Sequence, residues 1–431
     1  MDARNRVRQF VVGFLIVLVP VVTLAVLRPG QNRKADTKQA PPSAPSATPA
    51  EAIEMLEQQI NNGSVTLEFD EDTGYLRSLL KTLNIPVSSQ ALVFGRNSFQ
   101  IDLISPNMPR AIYFNNDVYV GFVQGGRYIE IASIDPKLGP VFFTLDQERH
   151  TRPVFAKETG NCLVCHDSAG NGIPRLLVLS TIPDAIGTAM GQTVYSITDQ
   201  SPMKERFGGW YVTGTHGDQH HMGNVFAPQR AREIPDVKAY TNRMNMQAGA
   251  NVTDLTGRFD TKPYLSPHSD IVAQMVLAHQ TNVHNLISRA AHTYNEAMTE
   301  RRKPDEVKRI VENGAEPIVR AMLFSGAQPF TATIAGTTNF AAEFTAAGRR
   351  DSQGRSLKDL DLEKRLFKYP MSYLVYTDSF KNMPEPVKEY VNRRFGEILA
   401  GEDTTKDYAH LSASDRQTIA EILKETQEDK R

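Results

Sequence analysis

The sequence predicts an α+β fold, and two observations carry that expectation. Between residues 64 and 150, short β-branched and aromatic runs alternate with turn residues at close spacing, as in an antiparallel meander. Beyond residue 269, apolar residues recur at helical spacing. A third observation, one long apolar run near the start of the chain, predicts a membrane anchor ahead of this body. The expected order is anchor at 1–30, tether at 31–50, β-rich region at 51–150, loop-rich segment at 151–230 and a mainly helical region at 231–431.

The anchor expectation rests on Phe10 to Leu27, an apolar stretch interrupted chemically by Thr23 and sterically by Pro20. As a helix it would span about 27 Å, close to a bilayer core. Arg4, Arg6 and Arg8 precede it, as suits a cytoplasmic start. A retained anchor and a cleaved export signal both fit. The length of the run and the poor cleavage context at Thr23-Leu24-Ala25 favour the anchor. Pro41-Pro42-Ser43-Ala44-Pro45 and Thr48-Pro49 then read as an extended tether.

A short helix is expected over Ala50 to Ile60, stopped by Asn61-Asn62-Gly63, and a second over Tyr75 to Leu83. Strands are expected at Ala111–Phe114, Val118–Val123, Tyr128–Ile134 and Val141–Leu145. The turns between them are Asn115-Asn116-Asp117, Gln124-Gly125-Gly126 and Asp135-Pro136-Lys137-Leu138-Gly139. The clearest helix covers residues 269–301, with Ser269 or Asp270 as cap. Residues 304–325 form another, and Val387 to Leu399 a third, ended by Gly401. Ser412-Ala413-Ser414-Asp415 reads as a capping box before a last one. Gly336-Thr337-Thr338-Asn339 reads as a turn.

Composition narrows the function. A formal charge of -1 over 431 residues offers no basic field for nucleic acid. The two cysteines lie three positions apart, so no disulfide framework joins distant segments. They belong to Cys162-Leu163-Val164-Cys165-His166, the Cys-x-x-Cys-His spacing. Two thiols so placed can each form a thioether to a haem vinyl group, and the next histidine can ligate the iron. One covalent haem c, with His166 as iron ligand, is therefore the expected cofactor. A redox dithiol, a zinc site and a local disulfide share the spacing. The dithiol lacks its usual strand-to-helix context, and zinc lacks a second cysteine pair.

The densest group of soft and nitrogen ligands is Gly208-Gly209-Trp210-Tyr211 through His216 to His220-His221-Met222-Gly223-Asn224. Met222 is the expected second iron ligand, with His221 and His216 as alternatives. Trp210, the sole tryptophan, is expected to pack on the porphyrin. Met190 and Met203 are weaker ligand candidates. His279, His284 and His292 on the long helix read as core-lining or solvated. Asp167, Arg175 and Asp184 could contact haem propionates.

Over most of residues 64–425 the chain resembles a family of uncharacterised bacterial exported proteins with one c-type haem motif. The resemblance lies in Leu103-Ile104-Ser105-Pro106, Pro109 to Phe114, Asp117 to Gly121, and Thr159-Gly160-Asn161-Cys162. It continues in Gly208 to Gly217, His221 to Asn224, and Arg365-Leu366-Phe367-Lys368-Tyr369-Pro370. It implies a haem-binding, cytochrome-like protein. Where such relatives have a cysteine after Tyr-Pro, this chain has Met371, which reads as structural.

The expected function is that of a membrane-tethered mono-haem cytochrome in periplasmic electron transfer, held in the bacterial cytoplasmic membrane by one span. The alternatives are a peroxidase-like haem enzyme with an open distal site and a haem-based sensor. The expected partner is a redox protein or a small-molecule substrate.

Overall fold

The computed structural model describes residues 49–427 apart from residues 97, 161, 168–171 and 192–193. The anchor and nearly all of the tether lie outside the described residues. Among the described residues no helix is long and apolar enough to cross a membrane. The described residues form one compact unit.

Two helices open it, α1 (Pro49–Asn61) and α2 (Leu76–Thr82). A six-stranded antiparallel sheet follows: β1 (Ala91–Val93), β2 (Arg110–Phe114), β3 (Val118–Phe122), β4 (Tyr128–Asp135), β5 (Gly139–Asp146) and β6 (Phe155–Glu158). The strands lie in chain order, so the sheet is a meander. Side-chain hydrogen bonds make its turns. Asn115 Oδ1 accepts from the Asp117 and Val118 N–H groups, and Asp135 Oδ1 from those of Lys137 and Leu138. Gly139 supplies the φ of +74° that closes the second turn.

The four middle strands agree with the alternation in the sequence. β1 and β6 extend the sheet on either side, and β6 carries it beyond residue 150.

The chain continues with the single-turn helix α3 (Leu163–His166), the two-stranded β7 (Leu179–Ser180) and β8 (Tyr195–Ser196), and α4 (Val237–Thr241). Then come the long α5 (Ile271–Thr299), α6 (Pro304–Met322), α7 (Phe340–Ala346), α8 (Asp378–Lys381), α9 (Glu385–Leu399) and α10 (Ala413–Thr426).

Both faces of the sheet are covered, so β3 is buried at every position. Val118, Val120 and Phe122 join α1 and α2 in one core. Tyr119, Ala132 and Phe142, at alternate positions, join α5 and the later helices in the other. Met371 is fully buried in this second core.

Asp270, not Ser269, caps α5. Asp270 Oδ1 accepts from the Val272 and Ala273 N–H groups at 2.8 and 3.2 Å. Its Oδ2 takes the N–H groups of Thr337 and Thr338 at 2.8 and 2.9 Å, so the turn at 336–339 is fastened to the helix start. Ser269 serves elsewhere, accepting from the Leu92 N–H and donating to the Tyr211 carbonyl. Further along α5, Gln280 Nε2 donates to the Tyr119 hydroxyl at 2.7 Å and ties the helix to the sheet.

Candidate haem site

The motif makes one turn of helix. The His166 N–H donates to the Cys162 carbonyl at 3.0 Å and the Asp167 N–H to that of Leu163. The chain then returns, and the Arg175 N–H donates to the His166 carbonyl at 2.8 Å. The return is pinned to α5, where Asn285 bonds both the N–H and the carbonyl of Leu176 at 2.7 and 2.8 Å.

This return decides the chemistry of His166. Its Nδ1 lies 2.7 Å from the Arg175 carbonyl oxygen. A carbonyl only accepts, so Nδ1 carries the proton and Nε2 keeps a free lone pair. Burial lowers the pKa of the ring below its ordinary value, which favours the neutral form. A metal-ligating histidine needs that tautomer, and a backbone carbonyl behind the ring is a usual means of setting it.

Cys162, Cys165 and His166 line one cavity of about 320 Å³. Its floor is one face of the sheet, read at alternate residues: Arg110 and Ile112, Tyr119 and Gly121, Glu130 and Ala132, then Phe142. The Phe142 and His166 rings lie 4.7 Å apart. Leu277 and Thr281 of α5 and Trp210 complete the wall. Trp210 is buried and its Nε1 donates to the Leu179 carbonyl at 2.7 Å.

Two charged residues stand on this floor. Arg110 Nη2 pairs with Glu130 Oε2 at 2.6 Å. Among the described residues Arg110 Nε is buried without a partner, as are Arg175 Nε and Asp167 Oδ1 beside the motif. Orphaned guanidinium N–H groups are costly unless a bound anion takes them. The two carboxylates of a haem are of the right kind. The donor set, the apolar walls and the two orphaned guanidinium groups fit the group, whereas the Asp167 carboxylate, an acceptor, does not contribute to holding its carboxylates.

The rival chemistries fit less well. Burial, with Glu158 and Glu130 adding to it, pushes the Cys162 thiol up to about 11, away from the thiolate a redox dithiol uses, and leaves only Cys165 exposed. Among the described residues the one three-residue group of ligand-type side chains is Asp146, Glu148 and His150, away from the motif. Zinc at Cys162, Cys165 and His166 therefore has no fourth protein ligand of these types among the described residues.

The second constellation divides. Trp210 reaches the cavity; Met222, His216 and His221 do not line it. Met222 Sδ is buried 3.7 Å from the Ser180 hydroxyl. His221 Nδ1 accepts the Gly223 N–H at 3.0 Å and His216 Nε2 the Asn251 N–H at 3.1 Å. A ring nitrogen that accepts a backbone N–H carries no proton, so the other nitrogen must hold it. Both rings thus have the reverse of the arrangement at His166, and iron ligation would require an imidazolate. Their rings lie 4.8 Å apart, and among the described residues His216 Nδ1 and His221 Nε2 are buried without partners.

The remaining candidates have structural places. Met190 is buried in a small separate cluster, and Met203 packs against the larger core. Asp184 Oδ1 accepts from the Ile186 and Thr188 N–H groups. His279 and His284 are buried in the core.

Arg110, Tyr119, Glu130 and Phe142 escape a reading centred on ligand-rich motifs. Their signal is charge at inward strand positions, since Arg110 and Glu130 share the face that elsewhere carries Ile112, Ala132 and Phe142. No protein-family model, curated protein or solved structure matches this chain.

Proposed function

We propose that this protein would hold one haem c through Cys162 and Cys165 with His166 as an iron ligand, and that the same cavity would admit a small molecule. The observation that carries the reading is the His166 Nδ1 bond to Arg175, which leaves Nε2 free on a residue lining an apolar cavity. Among the described residues the cavity wall contains no methionine and no second histidine, so no second protein ligand of these types would compete with a small molecule there. Bound there, the haem would supply one-electron chemistry at iron.

The chain's own residues have definable parts. Arg175 orients the ligand ring through its carbonyl. Phe142, Ile112, Leu277 and Trp210 exclude water. Arg110 offers a cation, and Glu130 its paired carboxylate, to whatever enters. This arrangement suits a redox enzyme or sensor for a small ligand.

Electron transfer to a partner protein is the second reading. Val164, between the two cysteines, is 84 % exposed and Cys165 is exposed, so the motif edge is open to a docking surface. The body would act outside the cytoplasmic membrane behind the N-terminal anchor.

The test is haem staining after denaturing electrophoresis, with carbon monoxide spectra of the reduced protein. Colour should remain on the polypeptide, vanish in the Cys162→Ser/Cys165→Ser double variant, and carbon monoxide should bind readily. Colourless wild type from a competent expression host would overturn haem attachment. A coloured protein that refuses carbon monoxide would shift the function to electron transfer.

A further inference from the structure

A second cavity, of about 340 Å³, lies between the segment at Asp199–Arg206 and the loops following α6 and preceding α8. Arg206 is in its wall and only 5 % exposed. Its guanidinium bonds are to neutral carbonyls, Nε to Ser201 at 2.8 Å and Nη2 to Asp199 at 2.9 Å. Among the described residues no carboxylate forms an ion pair with it. Asp199, in the same wall, turns its carboxylate to His279 Nδ1 at 2.7 Å. Asp199 favours the Arg206 charge from nearby without pairing with it directly, burial outweighs that help, and a buried cation with no directly paired carboxylate is expensive.

The rim adds to the imbalance. Lys364 and Lys406 line the cavity, are exposed and make no ion pair among the described residues. The other charged pairs are satisfied: Asp407 holds Arg320, and Arg365 holds Asp415 at 2.8 Å. Phe324, Phe330 and Leu366 supply apolar lining to the same cavity. Phe324 holds a φ of +56°, a strained conformation for an aromatic residue, and its ring stacks on that of His279 at 4.6 Å.

We infer that this cavity binds an organic monoanion, a small carboxylate with an aromatic or branched apolar body, its carboxylate on Arg206 and its body against Phe324, Phe330 and Leu366. An arginine fork matches a carboxylate in shape and charge. The apolar wall requires a ligand with carbon to bury. Asp199 in the same wall restricts the ligand to a single negative charge. The site is separate from the cavity at Cys162 and His166 and does not depend on haem.

The experiment is calorimetric titration of the full-length protein with benzoate, benzyl alcohol and inorganic phosphate. Benzoate should bind saturably at millimolar concentration or below, with the neutral alcohol and phosphate each about tenfold weaker or more. Arg206→Gln should weaken benzoate by about tenfold or more. Because Arg206 also braces two carbonyls, Lys364→Glu serves as the variant that leaves the fold untouched. It should weaken benzoate severalfold and leave benzyl alcohol unchanged. Absence of saturable benzoate binding, equal affinity for the alcohol, tighter binding of phosphate, or indifference of benzoate to Lys364→Glu would each overturn the assignment.

Discussion

Arg110 reaches Glu130 across an intervening strand: its Nη2 lies 2.6 Å from Glu130 Oε2, with β3 between the two. Gly121 makes the crossing possible. It pairs with Ile112 on one side and Glu130 on the other, and a Cβ there would come within 2.5 Å of Arg110 Nη2. Gly121→Val should therefore displace the guanidinium and cost about 1–3 kcal/mol in urea unfolding. Glu130→Gln strands a mostly buried cation and should cost about 1–3 kcal/mol. Arg110→Met in the Glu130→Gln background should recover part of that loss. Additive effects in this double-mutant cycle would mean that the pair is not coupled.

Trp210, as the sole tryptophan, reports on the cavity it lines. Its fluorescence should be strongly quenched in the haem-loaded protein and recover in the Cys162→Ser/Cys165→Ser variant. Equal emission from the two, with haem staining positive in the wild type, would place the porphyrin away from the cavity.

Met222→Leu should leave the visible spectrum, the near-infrared region and the reduction potential unchanged. It should lower stability by about 1 kcal/mol, as expected for a near-isosteric swap in a buried site. Loss of a near-infrared charge-transfer band in this variant would instead identify the thioether as an iron ligand and remove the open position.

Acid should destabilise the fold through buried neutral histidines. Burial brings His284 down to about 4 and His221 to about 3. An unfolded histidine takes up its proton near pH 6.5, so these groups favour the folded state fully above that pH. Their contribution is lost as pH falls from 6.5 through about 4, on the order of 3 kcal/mol for His284 alone. His284→Gln can retain donation to the Asn116 carbonyl while removing the titration. Its stability should fall less steeply over that interval. An unchanged slope in urea unfolding at stepped pH would show that His284 does not carry the effect.

Much of this architecture was legible where interactions are local. β2 to β5 announced themselves through alternation and through Asn115, Asp135 and Gly139, whose side chains or backbone freedom make the turns. The Cys-x-x-Cys-His spacing was legible because it needs only five consecutive residues. β1 and β6 were not, being only three and four residues long. The cavity was hidden for a different reason. Both faces of β3 are buried, and period-two patterning cannot tell which of two buried faces looks into a void. The cluster around His216, His221 and Met222 shows the converse limit. Abundance of ligand atoms says nothing about which ring nitrogen a backbone N–H has already claimed.

Asp270→Ala should cost about 2–4 kcal/mol, since it uncaps α5 and strands the N–H groups of Thr337 and Thr338. Chemical unfolding measures the loss; a change under about 1 kcal/mol would mean that water or Thr338 replaces the carboxylate.

The same helix has a mechanical consequence. α5 presents Leu277 and Thr281 to the chamber at the haem motif, while His279, between them in sequence, braces Asp199 in the wall of the other. At about 1.5 Å of rise per residue these contacts lie within little more than one turn. The helix is thus a common rod serving two compartments. A slide of one rise along its axis would redraw both at once, so neither can adjust to an occupant by that route in private.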